Sequence, residues 1–518
     1  MSGPIRLVPD EGGAERTMQL RTLPLKRRRP AAPVEPEPAE QLGLSADPLD
    51  ELAERLHDVC ADAVHPYEIA AFLESDGLSD EQAALLYGRP DAFTVAEELF
   101  EKVERRYPGQ SSEFANPWRA DPWRCVVRGL VFALPGLGYL LGANLFATAR
   151  LRFGLPSGMA ALSVATLVSW GFNQALAHRA YRWLGRLRRR EAAVCLAVGA
   201  PVGALLASAA AYVVGGPLDA LWFAAGQSCY LGAATALLVL GREKFLLVAL
   251  APASVGAGVV LAVDVPQAVR TVVLLASLTL AVALCTRELL VAARGGERDG
   301  TRSALPIRQE VPHLLFGLAC GALTLIAGLG ETIHQAVHAA SHAVHAHGGA
   351  HAVAGRELKA TPTGPAMIAL TLSLGLAEWL LFRYRAMAVA ALRTSHTTGQ
   401  FTRRTGGILL GCLFIYLTTV AALDAAATVL WPGAPSLGVP QLGAMLLLGG
   451  SLWLALLLNA FGFSWSTALI CLAAATAESV GLLTGADPIV LQLIGCGAAA
   501  IVLTAIAGPA LGRTTQHR

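Results

Sequence analysis

The sequence predicts an all-α, polytopic membrane protein: about twelve transmembrane helices in two six-helix lobes, preceded by a small cytoplasmic helical module. Three observations predict it. Of 518 residues, 54% are hydrophobic and only 15% charged, with a mean hydropathy of +0.51, a combination foreign to soluble domains. Twelve apolar runs follow one another, each long enough to cross a ~30 Å hydrocarbon layer as a helix. The basic residues between the runs fall mainly on alternate sides. Bulk charge is uninformative, since 40 Lys and Arg against 38 Asp and Glu leave +2. The nine cysteines lie in apolar runs or in the N-terminal part (Cys60, Cys125), so a disulfide framework is not expected.

In chain order, residues 1–46 come first. They carry Arg6, Arg16, Arg21 and the run Lys26-Arg27-Arg28-Arg29, then the Pro-rich AAPVEPEPAE. No apolar core follows the charges, so the segment reads as neither a secretory signal nor a span but as a basic, disordered tail. Its cluster suits either anionic headgroups of the inner leaflet or plain solvation. Residues 47–107 read as three or four short amphipathic helices. Ser79 with Gln82 forms a capping box, and Gly77 and Gly88 stand where helices should stop. The stretch holds 16 acidic and 5 basic residues, a net −11, so it repels phosphates and no nucleic acid is expected as a partner. It suits a cytoplasmic protein partner, or else a passive cap. Residues 108–125 form an interfacial linker whose Trp118 and Trp123 suit a headgroup layer.

The apolar runs lie at about 126–147, 157–177, 192–214, 218–240, 245–263 and 267–286 in lobe 1 (126–286). In lobe 2 (311–510) they lie at 311–330, 365–382, 407–430, 440–460, 464–483 and 488–510. With the N-terminus inside, inner loops and the C-terminal tail 511–518 hold 20 basic residues and outer loops 5. That asymmetry predicts both termini on the cytoplasmic side. In each block the second and third spans are joined by a long Arg-rich loop and the fourth and fifth by a short one, and the blocks meet at a cytoplasmic linker, 287–310. Such a layout suggests parallel halves around a central site, a plan common among transporters.

Soluble catalytic signatures are missing: no Walker A loop, no dinucleotide-binding glycine motif after a strand, no HExxH and no CxxC pair. No enzymatic activity is expected. Polar groups inside the membrane are then the pointers, because burying a charge there costs ~2.5–3.5 kcal/mol even on the lenient insertion scale. Glu378, Asp424 and Glu478 are candidates for coupling to H⁺ or Na⁺. Arg128, Asn173, Gln174, Gln227 and Arg270 are candidates for substrate contact. The competing reading is interhelical pairing and snorkelling at span ends; for Asp264 and Arg270 an interfacial ion pair is expected. Pro135, Pro201 and Pro252 interrupt spans one, three and five, as hinges or as static kinks.

The outer segment 331–363 begins ETIHQAVHAASHAVHAHGGAHA. Glu331, His334, His338, His342 and His345 recur at +3, +4, +4 and +3, one stripe of a continued helix. Imidazoles at i and i+4 can share Zn²⁺ or another transition metal, with Glu331 adding an oxygen. An Ala/His-rich insert that merely titrates is the alternative.

The twelve spans with both ends inside, the Pro-bearing first span and the segment GFNQALAHRAYRWLGRLRRREA resemble the multidrug/oligosaccharidyl-lipid/polysaccharide flippase superfamily, especially its polysaccharide and lipid-linked sugar branch. The segment SDEQAALLYGRPDAFTVAEELFEKVERRYP is similar to N-terminal extensions of bacterial membrane proteins of that kind. The acidic extension and the His-rich segment depart from the usual pattern. The resemblance implies alternating access in the bacterial cytoplasmic membrane, with a lipid-linked saccharide moved outward for envelope polysaccharide. Arg128 would then meet its pyrophosphate. A major-facilitator-like carrier of a small solute is a second reading, although Arg182-Trp183-Leu184-Gly185-Arg186 only partly echoes that family's loop. A non-transporting scaffold of an envelope-polysaccharide assembly, recruiting enzymes through 47–107, is a third.

Overall fold

A computed structural model describes residues 47–104, 122–146, 151–152, 155–295, 306–345, 364–430 and 438–513. The basic tail 1–46 and the interfacial stretch with Trp118 lie outside the described residues. The chain separates into two units, one containing the acidic segment and one containing all the apolar helices.

The acidic unit has five helices rather than the three or four expected: α1 (Pro48–Arg55), α2 (His57–Asp62), α3 (Pro66–Ser75), α4 (Asp80–Tyr87) and α5 (Ala92–Lys102). The extra element arises because the first amphipathic run breaks at Leu56, whose ψ of 15° leaves the helical region. Asp47, His65, Ser79 and Asp91 each accept from a backbone N–H of the helix that follows, which meets the orphan donors of a helix start. The Ser79–Gln82 capping box is closed from both sides, and Gly88 ends α4 in the left-handed conformation at φ 67°. Leu49, Leu52, Cys60, Ile69, Leu73, Val95 and Leu99 form a core of the unit's own. Arg89 donates from Nε and Nη2 to both oxygens of Glu98, and Lys102 pairs with Asp50.

In the membrane unit the first span is split into α6 (Pro122–Ala133) and α7 (Pro135–Phe146). Pro135 has no N–H to offer the preceding turn, and Leu134 stands as a turn between the halves. The helices after it are α8 (Ser157–Gly185), α9 (Arg189–Val214), α10 (Leu218–Val239), α11 (Glu243–Ala262) and α12 (Gln267–Arg294). Of the two readings of the other prolines, the helices favour the static one: α9 and α11 continue through Pro201 and Pro252. Lobe 2 comprises α13 (Val311–His345), α14 (Gly364–Thr394), α15 (Thr398–Leu430), α16 (Val439–Ala460), α17 (Ser464–Leu483) and α18 (Pro488–Leu511). A two-residue antiparallel ladder, β1 (Leu151–Arg152) with β2 (Leu155–Pro156), precedes α8.

Eleven of the described helical spans are long and apolar enough to cross a membrane, one fewer than the sequence count. The exception is α8, which is long enough but carries Asn173, Gln174, His178, Arg179 and Arg182 along its second half. It tolerates them by lying inside: α9, α10 and α13 all pack on it. Several helices outrun their apolar cores at the Arg-rich end, α8 to Gly185, α12 to Arg294 and α14 to Thr394.

The lobes repeat each other's packing. In lobe 1, α11 contacts α7 and α12, and α10 contacts α12; in lobe 2, α17 contacts α13 and α18, and α16 contacts α18. Between lobes the rule is reciprocal: span one (α6) packs on span eight (α14), and span seven (α13) packs on span two (α8). This is the pattern of two parallel repeats related by a pseudo-two-fold axis. Each lobe has its own core, Trp453, Tyr384, Leu448 and Leu458 in lobe 2 and Leu196, Leu237, Leu246 and Ala180 in lobe 1.

Candidate functional site: the interface between the lobes

The two reciprocal crossings are built alike. Where α6 meets α14, Gly129 faces Gly375, and a methyl added at Gly375 would lie 2.4 Å from the Cys125 carbonyl oxygen. Where α8 meets α13, Gly317 faces Gly171, and a methyl at Gly317 would lie 2.8 Å from the Trp170 carbonyl oxygen. Small residues let backbones touch, the usual device for close helix contact in lipid.

On the Arg-rich side of each glycine crossing stands an ion cluster, adjoining the first crossing and about two to three helical turns from the second. Arg128, adjacent to Gly129, donates from Nε to Glu243 Oε1 at 2.8 Å, and its Nη2 lies 2.7 Å from the same oxygen. Its Nη1 donates to Glu378 Oε1. Glu243 opens α11 in lobe 1 and Glu378 sits one turn beyond Gly375 in lobe 2, so one guanidinium ties the lobes together. At the other crossing Arg182 Nη1 donates to Glu310 Oε1 at 2.9 Å, with Arg179 Nη1 at 3.7 Å. Arg182 belongs to span two and Glu310 leads into span seven. The charges are thus exchanged under the pseudo-two-fold: span one brings Arg and span eight Glu, span seven brings Glu and span two Arg. Between Arg182 and Gly171 the rings of His178 and His313 stack across the lobes at 3.7 Å, their planes 19° apart.

The sequence candidates divide accordingly. Arg128 and Glu378 are brought together. Gln174 lies at the α8–α13 crossing, its Cγ 2.8 Å from where a methyl on Gly317 would be. Asn173 is buried beside it, with Oδ1 unpartnered. Gln227 is elsewhere, inside lobe 1, donating to Thr166 Oγ1 at 2.8 Å. Arg270 lies in the first turn of α12 at the opposite end, where Nε donates to the Val265 carbonyl of the preceding turn at 2.9 Å. The ion pair expected between Arg270 and Asp264 does not form, because the turn carbonyl captures the guanidinium and Asp264 is exposed. Asp424 is buried in α15 with Oδ1 unpartnered, and Glu478 is buried in α17, accepting from Cys496 Sγ at 3.3 Å while Oε2 has no partner. The five candidate substrate contacts therefore do not form one site.

The His-rich stripe continues α13 as expected. Glu331 accepts from Gln335 Nε2 at 2.9 Å, His334 and His338 meet edge to face at 4.4 Å, and His338 Nε2 lies 3.1 Å from the Gly485 carbonyl. The side chains of His342 and His345 lie outside the described residues. Among the described residues no group of three or more His, Cys, Asp or Glu is placed to hold a metal ion.

Glu243, Glu310, His178 and His313 were missed by the sequence reading. All four sit near span ends, where a polar residue ordinarily means snorkelling, and nothing local in the sequence sets them apart.

No family model matches this sequence, and no curated protein does. Among solved structures the chain is similar to a MATE in complex with Br-NRF, at 13% identity and a TM-score of 0.35, over 75% of this chain and 97% of that one.

Proposed function

We propose that the protein is an alternating-access transporter whose gate at the Arg-rich end is the pair of ion clusters between the lobes. The observation that carries this reading is Arg128 held by carboxylates from both lobes, with Arg182–Glu310 as its pseudo-symmetric counterpart. A permanent lobe interface in lipid gains most from small residues and apolar packing. Ion clusters on the Arg-rich side of the lobe boundary can instead be broken and remade where parting of the lobes lets water in, at a cost below that of exposing a charge to hydrocarbon. The 20-to-5 distribution of basic residues supports a cytoplasmic position for this gate.

The cargo we assign is a lipid-linked saccharide carried outward, an assignment supported by the resemblance of the first span and of residues 171–192. An opened gate frees Arg128 to meet a pyrophosphate bidentately. Glu378 then belongs to the gate, and Asp424 and Glu478 stay as the candidates for H⁺ or Na⁺ coupling.

Transport of a fluorescent lipid-linked saccharide in reconstituted vesicles tests the reading. Glu378→Gln is expected to leave the amount of folded protein nearly unchanged and to lower transport about tenfold or more, with Arg128→Lys intermediate. Full activity in both, with loss of function on deleting 47–104, would favour the scaffold instead.

A further inference from the structure

We infer that His178 and His313 form a proton-binding site that opens the gate on acidification, an inference resting on the gate reading above. The two imidazoles belong to different lobes and stack at 3.7 Å. Stacking of that kind holds while at least one ring is neutral; with both protonated, two cations face each other across the lobe boundary. His178 Nδ1 is buried and has no hydrogen-bond partner, so a proton can be taken up there without first breaking a bond.

The surroundings bias the outcome. On α8, Arg182 and Arg179 flank His178. Glu310, leading into α13, accepts from Arg182 Nη1 at 2.9 Å and lies 3.7 Å from Arg179 Nη1. From α9, Cys195 faces Arg179 and Glu310, and the first turn carries Arg189, Arg190 and Glu191; Arg308 precedes Glu310 in the short helix before α13. The one carboxylate of α10, Asp219, and the one of α17, Glu478, lie towards the opposite ends of their helices, and Cys471 on α17 turns to Cys320. A second positive imidazole therefore finds repulsion from its stacked neighbour and from Arg182, while Glu310 engages the two arginines through Oε1 and keeps Oε2 without a partner. Separation of α8 from α13 relieves that repulsion and lets water solvate both rings.

The test is double electron–electron resonance on the full chain in lipid nanodiscs. Spin labels on unnatural residues at Leu187 in lobe 1 and Thr397 in lobe 2 would report the width of the Arg-rich end. Between pH 8 and pH 5.5 the wider population is expected to grow at least fivefold. His178→Phe, which keeps an aromatic stack but takes no proton, and His313→Gln as an independent second variant are each expected to abolish the pH response. Glu378→Gln is expected to widen the distribution at both pH values. A wild-type distribution that ignores pH, or a full response in both histidine variants, overturns the proton site while leaving the gate intact. A distribution that Glu378→Gln fails to widen overturns the gate itself, whatever the histidines do.

Discussion

Arg128 shows how one side chain can be read two ways. As a sequence position it is a charge at the end of an apolar run; as a structural one it is the centre of a three-residue cluster joining α6, α11 and α14. Its two carboxylates differ in kind. Glu243 belongs to the same lobe as the guanidinium, whereas Glu378 comes from the other lobe, which makes it the partner that the proposed gate would release. Removing Arg128 leaves two partly buried carboxylates facing each other, so Arg128→Met is expected to cost ~3–5 kcal/mol of stability. Adding Glu378→Met should recover part of that loss, with a coupling of ~0.5–3 kcal/mol in a double-mutant cycle read from melting in detergent. Independent, additive losses would mean that the pair is incidental. Arg128 and Glu378 could be singled out from the sequence because a charge inside an apolar run is conspicuous. Glu243 and Glu310 could not, since beside Arg242 and Arg308 they look like ordinary loop residues, and only folding brings their partners near.

For the elements, length and type followed from hydropathy, and pairing did not. The break at Leu134 was signalled by Pro135, yet Pro201 and Pro252 leave their helices whole, because neighbours decide whether a freed carbonyl bends a helix. Nor does any local signal announce that span one meets span eight; the contact spans some 250 positions of sequence, and only its pseudo-symmetric twin makes it intelligible. The glycines of the crossings offer a test. Gly375→Ala and Gly317→Ala place a methyl against backbone of the opposing helix, which cannot swing away, and should lower the melting temperature sharply. Gly136→Ala and Gly258→Ala, with nothing within 4 Å, should be neutral or gain ~0.5–1 kcal/mol from helix propensity. Equal effects at all four positions would show that the crossings are not tight.

Across the whole molecule, the acidic unit and the membrane unit have separate cores and should melt separately. In the acidic unit, the Arg89 guanidinium lowers the Glu98 pKa, and the N–H and hydroxyl of Thr94 lower that of Asp91. A carboxyl with a depressed folded pKa stabilises fully at and above its ordinary range, and that contribution disappears as pH falls through the folded value. Circular dichroism of residues 47–104 should thus show a cooperative helical melt near neutral pH that weakens below about pH 4, less steeply in Glu98→Gln. A random-coil spectrum at pH 7 would remove the unit as an autonomous fold. In the membrane unit, the proposed gate gives the two glycine crossings the part of a pair of bearings. Two fixed points define a line, and rotation about that line is the one rigid movement that keeps both in place. The ion clusters and the stacked imidazoles lie on the Arg-rich side of this axle, so a seesaw of the lobes that parts them must draw the far ends of α8 and α13 together, closing one face of the membrane by the same turn that opens the other.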